Sequence, residues 1–290
     1  YAKWKIKIQV VIDEMDGLEF PLLEEFDKEE IVFEAHGRSS AYDLVTNYRR
    51  LVDLFCLVHQ YHFEMLNIGY AAYGIFFQFC QEAFPELDQQ DVTRMVSGFE
   101  VIAFRPDEEL RKLAKLAVEL GIDHLLHNRK SAEDVLAAVA KALNGKKWLA
   151  AFEKAKDPWF NYTTGSGFYH DDKVWINDLS VPIQNISRYV ATLRNGGSID
   201  RSLEKIHKER DEVAAAYRDL LDQDKVQAFD DLLKLSRLVF PYLEEHTFFI
   251  EHWSQTLLWN KMRDVGRACV HLNLFDDYED VFYLNRYEVD

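Results

Sequence analysis

From about Ser40 to Phe84 the chain reads SAYDLVTNYRRLVDLFCLVHQYHFEMLNIGYAAYGIFFQFCQEAF, with apolar residues recurring at three- and four-residue spacing and no proline until Pro85. That period belongs to one face of a helix, and a run of this length requires two long helices or one helix kinked near Gly69. The same period returns downstream with start and stop signals. DQQDVTRMVSG (88–98) reads as a short helix, and RPDEELRKLAKLAVELG carries Pro106 in its first turn and Gly121 at its end. SAEDVLAAVAKALNG repeats that logic, with Ser131 as N-cap, acidic residues in the first turn and Gly145 after the last. Further helices are expected from Ile183 to about Arg194, Arg201 to Asp222, Asp224 to about Phe240, and through EEHTFFIEHWSQTLLWNKMRDVGR (244–267), with a turn at Gly196-Gly197.

Two stretches depart from this period. KIKIQVVID near the N-terminus alternates as a strand does, and residues 20–33 read as a polar connection. DPWFNYTTGSGFYHDDKVWINDLSVP (157–182) is aperiodic, glycine-bearing and aromatic; such a loop inside a compact protein tends to be functional, and its aromatics argue against disorder. The expected fold class is therefore mainly α: an irregular multi-helix bundle with one long aromatic loop and at most a minor strand element. Residues 1–39 read as an N-terminal connecting segment and 40–290 as one helical domain.

Of the 290 residues 48% are hydrophobic and 14% aromatic, enough for a sizeable core. With 50 acidic against 34 basic residues the formal charge is −16, a field that repels phosphate backbones and anionic lipids and sets nucleic acid aside as a partner. Cys56, Cys80 and Cys269 are odd in number, far apart and in apolar contexts, as buried thiols of the cytoplasm are. No long apolar run or signal pattern argues for a membrane span or secretion. The chain begins at Tyr1 and is expected to be part of a longer polypeptide.

Several chemistries are set aside by their missing partners. TTGSGFYHDD has Gly165 and Gly167 but no following Lys-Ser/Thr, so it is no P-loop and reads as a lid or tight turn. A helical di-iron site needs two Glu-x-x-His pairs, and Glu204 to His207 supplies one. His59 with His62, and His124 with His127, are i,i+3 pairs that could share a helix face and a metal, but no third ligand is assignable, so no metal is expected. The richest chemistry lies in 244–267, where Glu245, Phe249, His252, Thr256, Trp259, Arg263 and Arg267 fall on one helical stripe. A histidine beside carboxylates can act as a general base, arginines can offset phosphoryl charge, and aromatics can hold a flat ligand. The same residues also suit a helical core with surface ion pairs.

Two stretches in this region resemble one family. FPYLEEHTFFIEHW (240–253) is similar to an E-D-H-N-F-Y-I-D/E element, and LFDDYEDVFYLNRYEV (274–289) to a D-D-V-F-Y-L-x-x-x-E-L element. Both precede the swivelling phosphohistidine domain in phosphoenolpyruvate-utilising, phosphoenolpyruvate synthase-like dikinases, a family that includes rifampin phosphotransferase and the phenylphosphate synthase group. MVSGFEVIAFRPDEELRKLAKLA, VHQYHFEMLNIGYAAY and VWINDLSVPIQNISRYV fit the helical acceptor-binding region of the same group.

The resemblance implies a three-part machine. An ATP-grasp domain or subunit, using ATP and Mg2+ bound outside this chain, phosphorylates a mobile histidine, which delivers the phosphoryl group to an acceptor hydroxyl held by the helical domain. The chain has no glycine-rich loop matching ATP-grasp and no Gly-Gly-x-x-Ser/Thr-His carrier motif, so alone it is expected to bind acceptor without turnover. The acceptor is expected to be a phenol or other aromatic hydroxyl. His246, at the family's histidine, is the first choice of base and His252 the second, with Glu245 at the family's Asp position to orient His246. Thr247 replaces the family's Asn. Lys261, Arg263 and Arg267 are the expected phosphoryl contacts, and His59, His62, Phe168, Trp175, Phe249 and Trp253 the expected pocket walls. The alternatives are a non-catalytic helical binding module and a metal-binding bundle.

Overall fold

The computed structural model describes residues 1–20, 22, 36–126 and 131–289. Among them are eleven α-helices and no β-sheet, so the mainly α expectation holds. In chain order the helices are α1 (Ala2–Asp16), α2 (His36–Ala83), α3 (Gln89–Val96), α4 (Arg105–Glu119), α5 (Ala132–Ala140) and α6 (Gly145–Lys156). Then follow α7 (Ser180–Arg194), α8 (Leu203–Arg218), α9 (Val226–Thr247), a π-helical segment at Phe248–Ser254, α10 (Gln255–His271), a 3-10 segment at Tyr278–Tyr283, and α11 (Arg286–Val289). No described helix is long and apolar enough to cross a membrane.

The chain folds into two compact units that interleave along the sequence. The first comprises Tyr1–His62, Thr163–Lys173 and Phe249–Asp290, and the second Phe63–Tyr162 and Val174–Phe248. Helix α2 runs across residues 39/40, where the sequence placed a domain boundary. The polar connection expected at 20–33 and the partner His127 fall almost wholly outside the described residues.

In the first unit, α1 replaces the expected strand. Its buried residues are Trp4, Ile8, Val11, Ile12 and Met15, a helical period that shows only over the whole element, whereas Ile6 and Val10, which create the local alternation, are exposed. Trp4 Nε1 donates to the Tyr61 carbonyl at 2.9 Å, fixing α1 to α2. Lower in the unit Tyr48, Val265 and Val281 form a core with Val52, Met262 and Phe282 packed against it. Gly266 makes that approach close: a Cβ there would lie 2.0 Å from the Tyr278 carbonyl oxygen.

In the second unit the main core gathers α4 to α7 around Trp148, Phe152 and Phe160. Trp148 stacks on Phe152 at 5.1 Å and satisfies its indole N–H on the Leu113 carbonyl at 2.9 Å. The expected caps are present: Asp88 accepts from Gln90 N, Ser131 accepts from Asp134 N, Pro106 sits in the first turn of α4, and Gly121 takes φ +69°. Gly145 does not terminate a helix but begins α6, where a Cβ would lie 1.7 Å from the Val139 carbonyl oxygen, so two helices meet too closely for any side chain. The long helix α2 passes through Gly69 without interruption; in this unit that glycine lets Leu243 of α9 approach to 3.0 Å of where a Cβ would be. Helix α9 likewise continues through Pro241, so Glu244 to Thr247 belong to its last turn.

Candidate functional site

The expected stripe from Glu245 to Arg267 presumes an uninterrupted α-helical period, and the chain does not keep one. Phe248–Ser254 is a π-helix, whose i→i+5 hydrogen bonds add a residue to each turn and shift every later side chain around the axis. Glu245 and His246 then belong to the second unit, and Phe249 to Arg267 to the first. Segments of π-helix are rare and recur at functional sites.

In the second unit His246 is buried, and its Nδ1 donates to the Leu243 carbonyl, which leaves the lone pair of the neutral ring on Nε2. That carbonyl orients the ring; adjacent helical residues such as Glu245 and His246 do not face each other. Burial raises the Glu245 carboxyl above its ordinary range, opposed by a backbone hydrogen bond from Ile102. Trp175 is a core residue here, packed on Tyr162 at 4.8 Å and Phe160 at 6.0 Å.

The first unit holds the other expected residues and adds some that the sequence did not single out. The loop 163–173 is fastened to the π segment and α10 at successive points. Thr163 N–H donates to His252 Nδ1 at 3.3 Å, with the Thr163 hydroxyl 3.2 Å from the same nitrogen. Trp259 Nε1 donates to the Gly167 carbonyl at 3.0 Å. Gly167 has φ +81°, and a Cβ on it would meet the Glu251 carbonyl oxygen at 1.8 Å, so glycine is demanded both by the turn and by the contact. Asp172 accepts from Gly167 N–H at 2.8 Å and closes the loop on itself.

At its far end, the loop meets the 3-10 segment. His170 stacks on Phe282 at 4.2 Å with the rings 11° from parallel. Arg263 ties both pieces together, donating from Nη2 to the His170 carbonyl and from Nε to Glu279, each at 2.6 Å. Lys261 Nζ donates to the carbonyls of Asp16 (2.6 Å) and Leu18 (2.5 Å), and Arg267 pairs with Asp264 and lies 5.0 Å from the Tyr278 ring. All three expected phosphoryl contacts are thus engaged in holding the unit together.

His252 has a defined protonation state. A backbone N–H can only donate, so Nδ1 accepts and the neutral ring carries its proton on Nε2. Burial pulls its pKa down to about 4, which keeps the ring neutral at pH 7. The two rings therefore carry opposite tautomers, with the proton on Nε2 in His252 and on Nδ1 in His246. Phe249 packs edge-on to Trp4 at 6.0 Å and stacks on Trp253 at 6.1 Å, and His59 and His62 lie 6.3 Å apart with His59 Nδ1 bonded to the Phe55 carbonyl. Burial lowers the His62 pKa. Phe168 is exposed on the loop.

Buried polar side chains concentrate in this unit. Thr163, His252, Ser254, Gln255 and Thr256 are all below 9% exposed, and every residue from Ser254 to Leu258 is buried, so one helical turn is enclosed on all sides although three of its members are polar. The sequence carries a faint sign of this, the Ser-Gln-Thr run between Trp253 and Leu257, polar where both helix faces are otherwise apolar. A scan against protein-family models finds no match for the chain, and a search of curated proteins finds none.

Proposed function

We propose that this chain is the acceptor-binding portion of an ATP-dependent, dikinase-type phosphotransferase, in which a phosphohistidine on a mobile domain phosphorylates a bound phenol or other aromatic hydroxyl. The observation that carries the proposal is the enclosed polar turn at 254–256 with His252 beside it. Ser254 Oγ is satisfied on the Ile250 carbonyl at 2.8 Å, but Gln255 Oε1 and Thr256 Oγ1 are not, and folding gains nothing from burying such groups unpaired, so their presence beside a π segment supports a ligand site. Residues 163–173 of the aromatic loop and the 278–283 segment, which lies in one of the two stretches resembling the dikinase family, belong to the same unit.

In the proposed step the P–N bond of the phosphohistidine breaks, a P–O bond forms to the acceptor oxygen, and the hydroxyl proton passes to a base. A phenol, with a pKa near 10 as for tyrosine, asks modest help. His252, beside the enclosed turn, is the residue of this unit proposed to orient the hydroxyl. The supporting machinery is positioning and exclusion of water rather than covalent chemistry by this chain. ATP and Mg2+ act on the ATP-grasp partner.

The test is reconstitution. With an ATP-grasp unit, a phosphohistidine carrier and ATP, the chain is expected to direct phosphate onto a phenol. Binding of phenols without any transfer would leave a non-catalytic binding module.

A further inference from the structure

Gln255 and Thr256 are 2% and 0% exposed, and among the described residues neither Gln255 Oε1 nor Thr256 Oγ1 has a hydrogen-bond partner. Buried polar atoms are almost always paired, so two adjacent orphans call for a reason. Their placement supplies one. Both lie between His252, in the π segment, and Trp259, which stands four and three residues beyond them on α10, steps that put side chains on one helix face. Those flanking residues are where the loop is anchored, Thr163 on His252 and the Gly167 carbonyl on Trp259. The loop is therefore pinned at residues on either side of the two orphans along the chain, and the close approach of Gly167 to the Glu251 carbonyl holds it there.

The chemistry of the orphans specifies what they lack. An amide oxygen only accepts, so Gln255 Oε1 needs a donor, and a threonine hydroxyl can then accept or donate. A phosphate dianion or a carboxylate brings acceptors alone and would face the Gln255 oxygen with like partial charge. The three cations of α10, Lys261, Arg263 and Arg267, are bonded elsewhere in the unit. A neutral O–H group brings the missing donor.

We infer that Gln255 and Thr256, between the two anchors of the 163–173 loop, are the binding residues for the neutral hydroxyl of the acceptor. This rests on the acceptor-binding reading and sharpens it: the site recognises the unphosphorylated, uncharged group, and the phosphoryl charge is neutralised by groups other than these two.

Three probes of one shape separate the outcomes by calorimetry on the whole chain: phenol, anisole, which lacks the donor, and phenyl phosphate, which adds the charge. The wild type is expected to bind phenol at least tenfold more tightly than either. Thr256→Val and Gln255→Met are expected to keep or raise the melting temperature, since each removes an orphaned polar atom, and to lose the preference for phenol over anisole. Thr256→Ser, which keeps the hydroxyl, is expected to retain it. A phenol preference unchanged in both apolar variants, or a lowered melting temperature in either, overturns the assignment of these residues while leaving the acceptor reading standing. Failure of the wild type to bind any of the three overturns both.

Discussion

Gly266 and Gly74 both sit inside helices, and replacing each by alanine is the same chemical change in two surroundings. On propensity alone both variants gain about 0.5–1 kcal/mol, because alanine has less backbone freedom to lose. At Gly74 nothing lies within 4 Å of the added Cβ, so the gain is expected in full. At Gly266 the Cβ arrives 2.0 Å from the Tyr278 carbonyl oxygen and 2.9 Å from its carbon, against a floor of 3.0 Å for real contacts, so the gap must open by at least 1.0 Å (3.0 − 2.0). Both atoms are backbone, and no rotamer relieves them. Overpacking costs about 1–3 kcal/mol, and a clash with backbone sits in the upper part of that range, about 2–3 kcal/mol, so that with the helical gain subtracted Gly266→Ala is destabilised by about 1–2.5 kcal/mol. At roughly 2–4 °C per kcal/mol, the melting temperature falls by about 2–10 °C, while that of Gly74→Ala rises by about 1–4 °C. Urea denaturation of the three proteins by tryptophan fluorescence reads the difference directly. Equal stabilisation of both variants would refute the packing of the 278–283 segment on α10.

Two further outcomes follow from buried groups. His252 binds a proton at about 4 in the fold and near 6.5 when unfolded, so between these values the unfolded chain holds more protons and stability falls as pH drops from 6.5 towards 4. The whole loss approaches about 3 kcal/mol, and His252→Asn, which keeps an acceptor for Thr163 N–H, is expected to flatten that part of the curve; identical pH profiles for variant and wild type would count against the buried neutral ring. Trp148→Phe removes the donor to Leu113 O and opens space in a fully enclosed core, for an expected loss of about 2 kcal/mol in urea denaturation, and a change below about half a kcal/mol would contradict that packing.

Where local signals determine structure, the sequence was readable. Asp88, Pro106, Ser131 and Gly121 mark helix ends because capping and positive φ depend on a few neighbouring residues. What escaped depends on contacts distant in sequence. Ile6 and Val10 imitate a strand until the buried set at Trp4, Ile8 and Ile12 is weighed over the full element. Gly145 looks like a stop because its partner, the Val139 carbonyl, is met only in three dimensions. The π segment moves the register of every residue after Phe248, so a stripe drawn at α-helical spacing joins residues of two units. Within the site His252 was legible as a candidate, but its tautomer was set by Thr163, a residue in a loop far along the chain. Arg263 was read for its charge, and its partners Glu279 and the His170 carbonyl show that charge already employed. Gln255 and Thr256 passed unnoticed as ligand groups because only enclosure makes an ordinary polar side chain informative.

The most direct measurement follows labelled γ- and β-phosphate of ATP in a mixture of this chain, an ATP-grasp unit, a phosphohistidine carrier and phenol. Label is expected in phenyl phosphate when all are present, and to disappear when this chain is omitted. Transfer that proceeds without this chain, or its failure with every aromatic hydroxyl supplied while the carrier histidine is visibly phosphorylated, would contradict the account.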